Sequence, residues 1–197
     1  MSLISEGLLK LGLNPEQPLI DKLTVYVNLI LKWNRVYNLT AARTSTEIAV
    51  SHVLDSAASY SFVKGRNVLD VGTGAGLPGI VLAILDKSLK ITLIDSNNKK
   101  VRFLRQCKIE LELDNINLVH SRIEDFNRQL KFDSVISRAF ASFDDFAANC
   151  LSFVKTGGIL VALKGKWTEN PDYRVKVNKI SVPFLEAQRH IIIYKHE

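Results

Sequence analysis

Ten consecutive residues, Asp70-Val71-Gly72-Thr73-Gly74-Ala75-Gly76-Leu77-Pro78-Gly79, concentrate the chain's capacity for chemistry. An apolar run, Asn67–Val71, leads into them and a helical pattern follows. Glycine adopts positive φ and lets the backbone come close to a ligand. Proline suits a first helical turn, where its missing N–H has no partner to lose. Residues 74–79 match the dinucleotide fingerprint GxGxxG, and Asp95 stands where a ribose-binding acid would. Asp70 discriminates between cofactors. A carboxylate beside the turn repels the pyrophosphate of NAD but attracts the sulfonium and ammonium groups of S-adenosylmethionine. The turn therefore favours S-adenosylmethionine, with Asp70, Gly72 and Gly74 beside it.

Other candidate residues follow the ends of later apolar runs. Asp95 follows Ile91–Ile94 and suits ribose hydroxyls; a helix N-cap is its plainer reading. After Ile116–Val119 comes Ser121-Arg122-Ile123-Glu124-Asp125, where an acid can accept the adenine amino group and a backbone N–H can meet a ring nitrogen. The fourth run, Phe132–Ile136, is followed by Ser137-Arg138-Ala139-Phe140, the place for a methyl-accepting atom. It holds neither Asn-Pro-Pro-Tyr, which would seat an exocyclic amine, nor a cysteine to attack a pyrimidine ring. A ring nitrogen such as guanine N7 has a free lone pair. Its methylation needs position and desolvation, and no general base. Arg138 is read as a positioning group for phosphate or a guanine edge. Its plainer reading is a structural arginine paired with a local carboxylate.

These residues need a scaffold, and the hydrophobic pattern supplies one. Residues 1–60 read as helices: Leu23, Tyr26, Val27, Ile30 and Leu31 recur at helical spacing, and Ser51 is placed to cap a further helix through Leu54, Ala57 and Ala58. From residue 66, apolar runs (the four above and Gly158–Leu163) alternate with helical stretches at Pro78–Leu85, Asn97–Leu113 and Phe143–Phe153. That is the pattern of a parallel sheet covered on both faces. Two late runs, Ile180–Val182 and Ile191–Tyr194, are separated by too few residues for a helical crossover, so the last strand should be antiparallel. The expected architecture is a Rossmann-like α/β core over 61–197 behind an N-terminal helical cap over 1–60, together one structural unit. Its sheet has seven strands, mostly parallel.

Composition narrows the class. The chain has 197 residues, 47% of them hydrophobic and 23% charged, as in ordinary globular domains. It has no apolar stretch of membrane-spanning length and no basic-then-apolar leader, which points to the cytoplasm. Cys107 and Cys150 are isolated and the four histidines scattered, so neither a disulfide nor a metal site is expected. The net charge of +6 lies entirely in residues 61–197. Lys99, Lys100, Arg102, Arg105 and Lys108 share one helical stretch, Lys164 and Lys166 follow the fifth run, and Arg189 opens the last. A polyanionic partner would use such charges. Arg138, Lys164 and Arg189 are the leading candidates, ahead of Lys100 and Arg102.

Together the motifs resemble the glucose-inhibited division protein B family, bacterial methyltransferases of 16S ribosomal RNA. The likeness spans nearly the whole chain. It rests on Trp33-Asn34, Tyr37-Asn38-Leu39-Thr40, His52-Val53-Leu54-Asp55-Ser56, the glycine turn with Leu77-Pro78-Gly79, Asp95-Ser96, Lys100-Val101-Arg102-Phe103-Leu104, Ser137-Arg138-Ala139, Leu163-Lys164-Gly165 and Arg189-His190. The resemblance implies N7-methylation of one guanosine in 16S RNA near the decoding centre, on naked RNA or the small ribosomal subunit. It implies Gly72, Leu77, Ile123, Glu124 and Arg138 at the cofactor, and Arg122, Lys164 and Arg189 facing RNA. A monomer is expected. The stretch from Lys166 to Ile180 is shorter than the family's usual helical connection, which speaks against a helix there. Asn34, Asn38, Thr40 and His52 are read as caps and buried hydrogen-bonding groups. Two alternatives remain: a small-molecule methyltransferase, which would not need a basic rim, and a non-catalytic nucleotide-binding module, which would tolerate a degenerate turn.

Overall fold

Seven strands form a single sheet: β1 (Asn67–Val71), β2 (Lys90–Asp95), β3 (Ile116–His120), β4 (Phe132–Ser137), β5 (Val154–Lys164), β6 (Lys176–Ile180) and β7 (Arg189–Lys195). The computed structural model describes residues 2–197 and orders these strands β3-β2-β1-β4-β5-β7-β6. β1 to β5 run parallel, and β7 lies antiparallel between β5 and β6. The antiparallel last strand and the hairpin before it are as expected. The sixth strand is not where the apolar run placed it. It ends at Ile180, and Val182 lies in the following loop, buried against the core. As an edge strand, β6 carries Lys176, Asn178 and Lys179, so its polarity hid it; charged residues at a sheet edge discourage further pairing.

Side chains alternate across the sheet, as the period of two requires. Val68, Ile91, Leu93, Ile136, Ile159, Val161 and Ile191 enter one core; Leu69, Val71, Ile94, Val135, Leu160, Ala162 and Ile192 enter the other. α5 (Gly79–Leu85) and α6 (Asn98–Glu110) cover the first face, and α7 (Phe143–Cys150) covers the second. No helix links β5 to β6 among the described residues. That loop is tied to α7: Glu169 accepts from the Phe143 N–H, and the Asp172 N–H donates to Asp144.

The N-terminal helices are α1 (Leu3–Lys10), α2 (Gln17–Tyr37), α3 (Ser45–Ile48), a wider π-helical turn over Ala49–Leu54, and α4 (Asp55–Ala57). Ser51 is not the cap of this last run. Thr44 is, through a reciprocal capping box with Glu47, and Ser51 instead donates to the Glu47 carbonyl from inside the helix. The signal was present as Thr44-Ser45-Thr46-Glu47, the S/T-x-x-E pattern of a helix start. Leu8, Leu23, Tyr26, Ile30, Ile48 and Leu54 enter the same core as α5 and α6, and Trp33 meets Phe103 edge-on at 5.6 Å. No helix among the described residues is long and apolar enough to cross a membrane.

One hydrogen bond fastens the helical layer to the glycine turn. The Tyr26 hydroxyl, fully buried on α2, donates to the Ala75 carbonyl at 2.6 Å. Burial holds the phenol well above its usual pKa, so it remains a donor at any physiological pH. Tyr26→Phe should lower stability by roughly 1–2 kcal/mol, because it removes the donor that Ala75 relies on in a dry setting. Urea unfolding measures this; an unchanged midpoint would show that the bond contributes nothing.

Candidate functional site

β1 runs through the centre of the sheet, and its C-terminal end sets the site. Gly72, Gly74 and Gly76 all take positive φ, at 67°, 62° and 89°. A side chain at Gly72 would place its Cβ 2.7 Å from that of Ala139. Asp70 lies beneath the turn, fully buried. Its Oδ2 accepts from the Thr73 hydroxyl at 2.6 Å and from the Gly79 N–H at 2.8 Å. Its Oδ1 has no hydrogen-bond partner among the described residues. Burial pushes this carboxyl up to about 6, against the lowering effect of its hydrogen bonds and of Arg138.

The turn opens onto a cavity of about 330 Å³ at the carboxyl ends of β1, β2 and β3. Gly72, Asp95, Lys100, Arg122, Ile123 and Glu124 line it, with Ala139 and Phe140 closing one side. Asp95 is buried, and both its oxygens are engaged: Oδ2 accepts from the Gly74 N–H at 2.9 Å, Oδ1 from the Asn97 N–H at 2.8 Å. A carboxylate offers about four lone-pair sites, so acceptor capacity remains for a hydroxyl. Asp95 is not the cap of α6; Asn97 is. Lys100 sits 3.7 Å from Asp95 on the cavity wall. Four expected cofactor residues are not on that wall. Asp70 is under the turn, Gly74 reaches the cavity only through its bond to Asp95, Leu77 is buried in the core, and Arg138 lines a neighbouring cavity instead.

Beyond the end of β4 lies a second cavity of about 290 Å³, lined by Asp55, Arg138, Lys164, Arg189 and His190 among others. Arg138, Lys164 and Arg189, far apart in the chain, therefore share one wall, as a basic rim requires. The bland readings hold as well. Asp55 stands between two arginines, 3.0 Å from Arg189 Nε and 3.8 Å from Arg138 NH1. Lys164 pairs with Glu169 at 3.0 Å and donates to the carbonyls of Phe140 and Ala141. Arg138 NH1 is buried with no hydrogen-bond partner among the described residues. Ser137 braces this strand end, donating to the Val71 carbonyl and accepting from the Ala139 N–H. Arg122 belongs to the first cavity, and exposed Arg102 on α6 lines neither.

Asp55 is the residue that sequence reasoning overlooked. The run His52-Val53-Leu54-Asp55-Ser56 had been singled out, but no local pattern marks its acid. The polar groups nearby behave as caps and buried hydrogen-bonding groups. Asn38 caps α2 in the left-handed region, and Asn34 bridges the Thr40 N–H and the Ala42 carbonyl. Thr40 meets His52 Nε2, whose other nitrogen faces its neighbour's carbonyl. Burial lowers the His52 pKa, which fits a neutral ring accepting from Thr40. Burial also pushes the Cys150 thiol up to about 12 and the Cys107 thiol still higher. No group of three or more potential metal ligands gathers among the described residues.

Comparison with known proteins gives a consistent set of likenesses. Residues 19–194 match the model of the GidB family, described as rRNA small subunit methyltransferase G. A ribosomal RNA small subunit methyltransferase G of Nitrosococcus oceani is 42% identical, covering 97% of this chain and 92% of the relative. One from Escherichia coli is 44% identical over 89% of this chain and 88% of its own. Among solved structures, M. jannaschii TYW2 in complex with AdoMet is similar, at a TM-score of 0.55 and 18% identity, covering 73% of this chain and 74% of that one. A precorrin-6y C5,15-methyltransferase from Geobacter metallireducens also has a TM-score of 0.55, at 16% identity over 72% of this chain and 87% of its own. At such identities these structures speak for the fold alone.

Asp70 binds its proton more tightly in the fold than in the unfolded chain. Its contribution to stability is therefore full below about pH 4 and is lost as pH rises through about 6. Asp70→Asn keeps an acceptor for Thr73 and Gly79 and cannot ionise. Relative to wild type it should gain stability between pH 4 and 7, by at most about 3 kcal/mol. Urea midpoints across that range check this. An unchanged difference between the two proteins would show that some other group titrates there.

Proposed function

The chain belongs to the rRNA small subunit methyltransferase G family, and we propose on that premise that it methylates N7 of one guanosine in small-subunit ribosomal RNA near the decoding centre. Its cofactor is S-adenosylmethionine, as in the family. The observation that carries the reading is the pair of cavities on either side of the β4 end. The first has buried Asp95 on its wall and buried Asp70 beneath its glycine turn, with Glu124, Lys100 and Arg122 also lining it; the other gathers Arg138, Lys164 and Arg189. A cationic cofactor suits the first and a polyanion the second. A small-molecule methyltransferase would have no use for the second. The turn is intact, against a non-catalytic module.

The residues present fit the cofactor. The orphaned Asp70 Oδ1 leaves negative charge uncompensated under the turn, and a Cβ at Gly72 would close the gap to Ala139. In our reading Gly72, Gly74 and Asp70 hold the amino-acid end, Asp95 the ribose hydroxyls, and Ile123 and Glu124 the adenine, while Leu77 supports the turn from the core. When bound, S-adenosylmethionine supplies an electrophilic methyl group. The chain's own task is to align a guanine lone pair with it and exclude water. Guanine N7 carries no proton, so no side chain has to accept one. Arg138 positions the base or the cofactor at the cavity boundary. Arg189, Lys164 and Arg122 meet phosphate, with Lys100 and Arg102 on the flank. We further propose that the helical part and the sheet act as one unit, and that the protein works as a cytoplasmic monomer without a metal.

Mapping methylated nucleotides in small-subunit RNA from cells with and without this protein tests the reading. One 7-methylguanosine should vanish without it; an unaltered map would overturn the assignment. Single-turnover methyl transfer should be nearly flat from about pH 7 to 9, the range in which a lysine or tyrosine base would begin to deprotonate. Arg138→Ala should slow it about a hundredfold by misplacing the reactants, and Arg138→Lys should restore little, because a point charge does not reproduce a planar fork. A steep rise with pH would reveal a required base.

A further inference from the structure

The π-helical turn over Ala49–Leu54 carries His52 and leads directly into Asp55, which lines the second cavity, and neither residue has a place in the reaction as described so far. Wider π turns insert a residue into a helix and often mark functional positions. Here the turn leads to a buried carboxylate set between two guanidinium groups from strands on either side of β5, Arg138 at the end of β4 and Arg189 at the start of β7. Arg189 gives Nε to Asp55 and NH1 to the Gln188 carbonyl. Arg138 approaches Asp55 at 3.8 Å, beyond hydrogen-bonding distance, so its NH1 remains unspent. The charges of Arg138, Asp55 and Arg189 all reach His52, and Thr40 fixes that ring from the other side.

We infer that Asp55 is a positioning residue: it holds the Arg138 and Arg189 forks side by side at the wall of the second cavity, where the part-exposed Arg138 guanidinium, not tied up by a hydrogen bond to the acid, can turn to donate to the target nucleotide. Without the acid, two like charges in one cavity repel, and each long side chain swings toward water. With it, the forks are aimed before RNA arrives. The acid also has a cost, since it adds negative charge to a surface meant for phosphate. Alignment and affinity therefore respond in opposite directions to its removal. A residue that merely supports the fold would lower both. The inference rests on the reading that this chain methylates ribosomal RNA.

The test uses the full chain and unmodified small-subunit RNA. Asp55→Asn keeps shape and removes charge. Single-turnover methyl transfer should fall about tenfold to a hundredfold. RNA affinity by filter binding should stay level or tighten, by up to about threefold, with a steeper salt dependence because one more cation is available to phosphate. In an Arg189→Gln background the same change should cost less than about threefold in rate, because the partner through which it acts is gone. Asp55→Glu keeps the charge but displaces it by one methylene; it should fold if Asp55→Asn does not, and should slow transfer several-fold with RNA affinity unchanged. A wild-type rate in either variant, equal losses in both backgrounds, or a joint loss of rate, RNA affinity and S-adenosylhomocysteine binding would overturn the inference. A wild-type protein that leaves the RNA unmethylated would instead overturn the underlying reading.

Discussion

The Asp70 carboxylate under the glycine turn is the interaction on which the rest depends. It accepts from Thr73 at the start of the turn and from Gly79 at the start of α5, so a single side chain closes the loop between strand and helix. Gly79 has to be glycine for this: a Cβ there would stand 2.7 Å from Asp70 Oδ2 and 2.2 Å from Leu93. The turn so closed sends the Gly74 N–H to Asp95, which orders the end of β2 and the start of α6. The first cavity is thus assembled outward from one buried acid. Leaving its second oxygen without a donor has a price in stability, of the kind that functional sites commonly carry.

The helical layer extends that logic. Tyr26 grips the turn from outside through Ala75, while α3, the π turn and α4 carry His52 and Asp55 toward the end of β4. These helices do more than cover apolar surface. They complete the polar wall of the second cavity, since Asp55 is the acid nearest to Arg138 and Arg189. A helical addition to an α/β sheet can in this way supply residues that the sheet's own loops lack.

Two cavities meet at a single strand end. Arg138 lines the one where three basic groups surround Asp55, and its neighbour Ala139 the one where Asp95 stands by the glycine turn, with Ser137 bracing both. A cationic cofactor and a polyanionic substrate can then be held next to each other with neither occupying the other's field. The reacting atoms would meet at the boundary, where alignment contributes most to rate.

Much of this was legible in the chain itself. The Asp70–Gly79 turn, the five parallel strands and the helices between them are local patterns: they depend on glycine's freedom, on period-two and period-3.6 burial, and on proline's place at a helix start. Strand β6 was misplaced because an exposed edge strand has no apolar face to announce it, and the Thr44 cap was passed over for Ser51, which back-bonds within the helix instead. Tertiary structure alone decided what the charges do. Lys164 looks like a free cation in sequence, yet Glu169 and two carbonyls hold it; Asp55 looks like any helical acid, yet it joins two arginines from strands far along the chain. Such pairings depend on the order of strands across the sheet and on where the helical layer docks. Residue type and spacing cannot specify them, because a charge finds its partner in space and not along the chain.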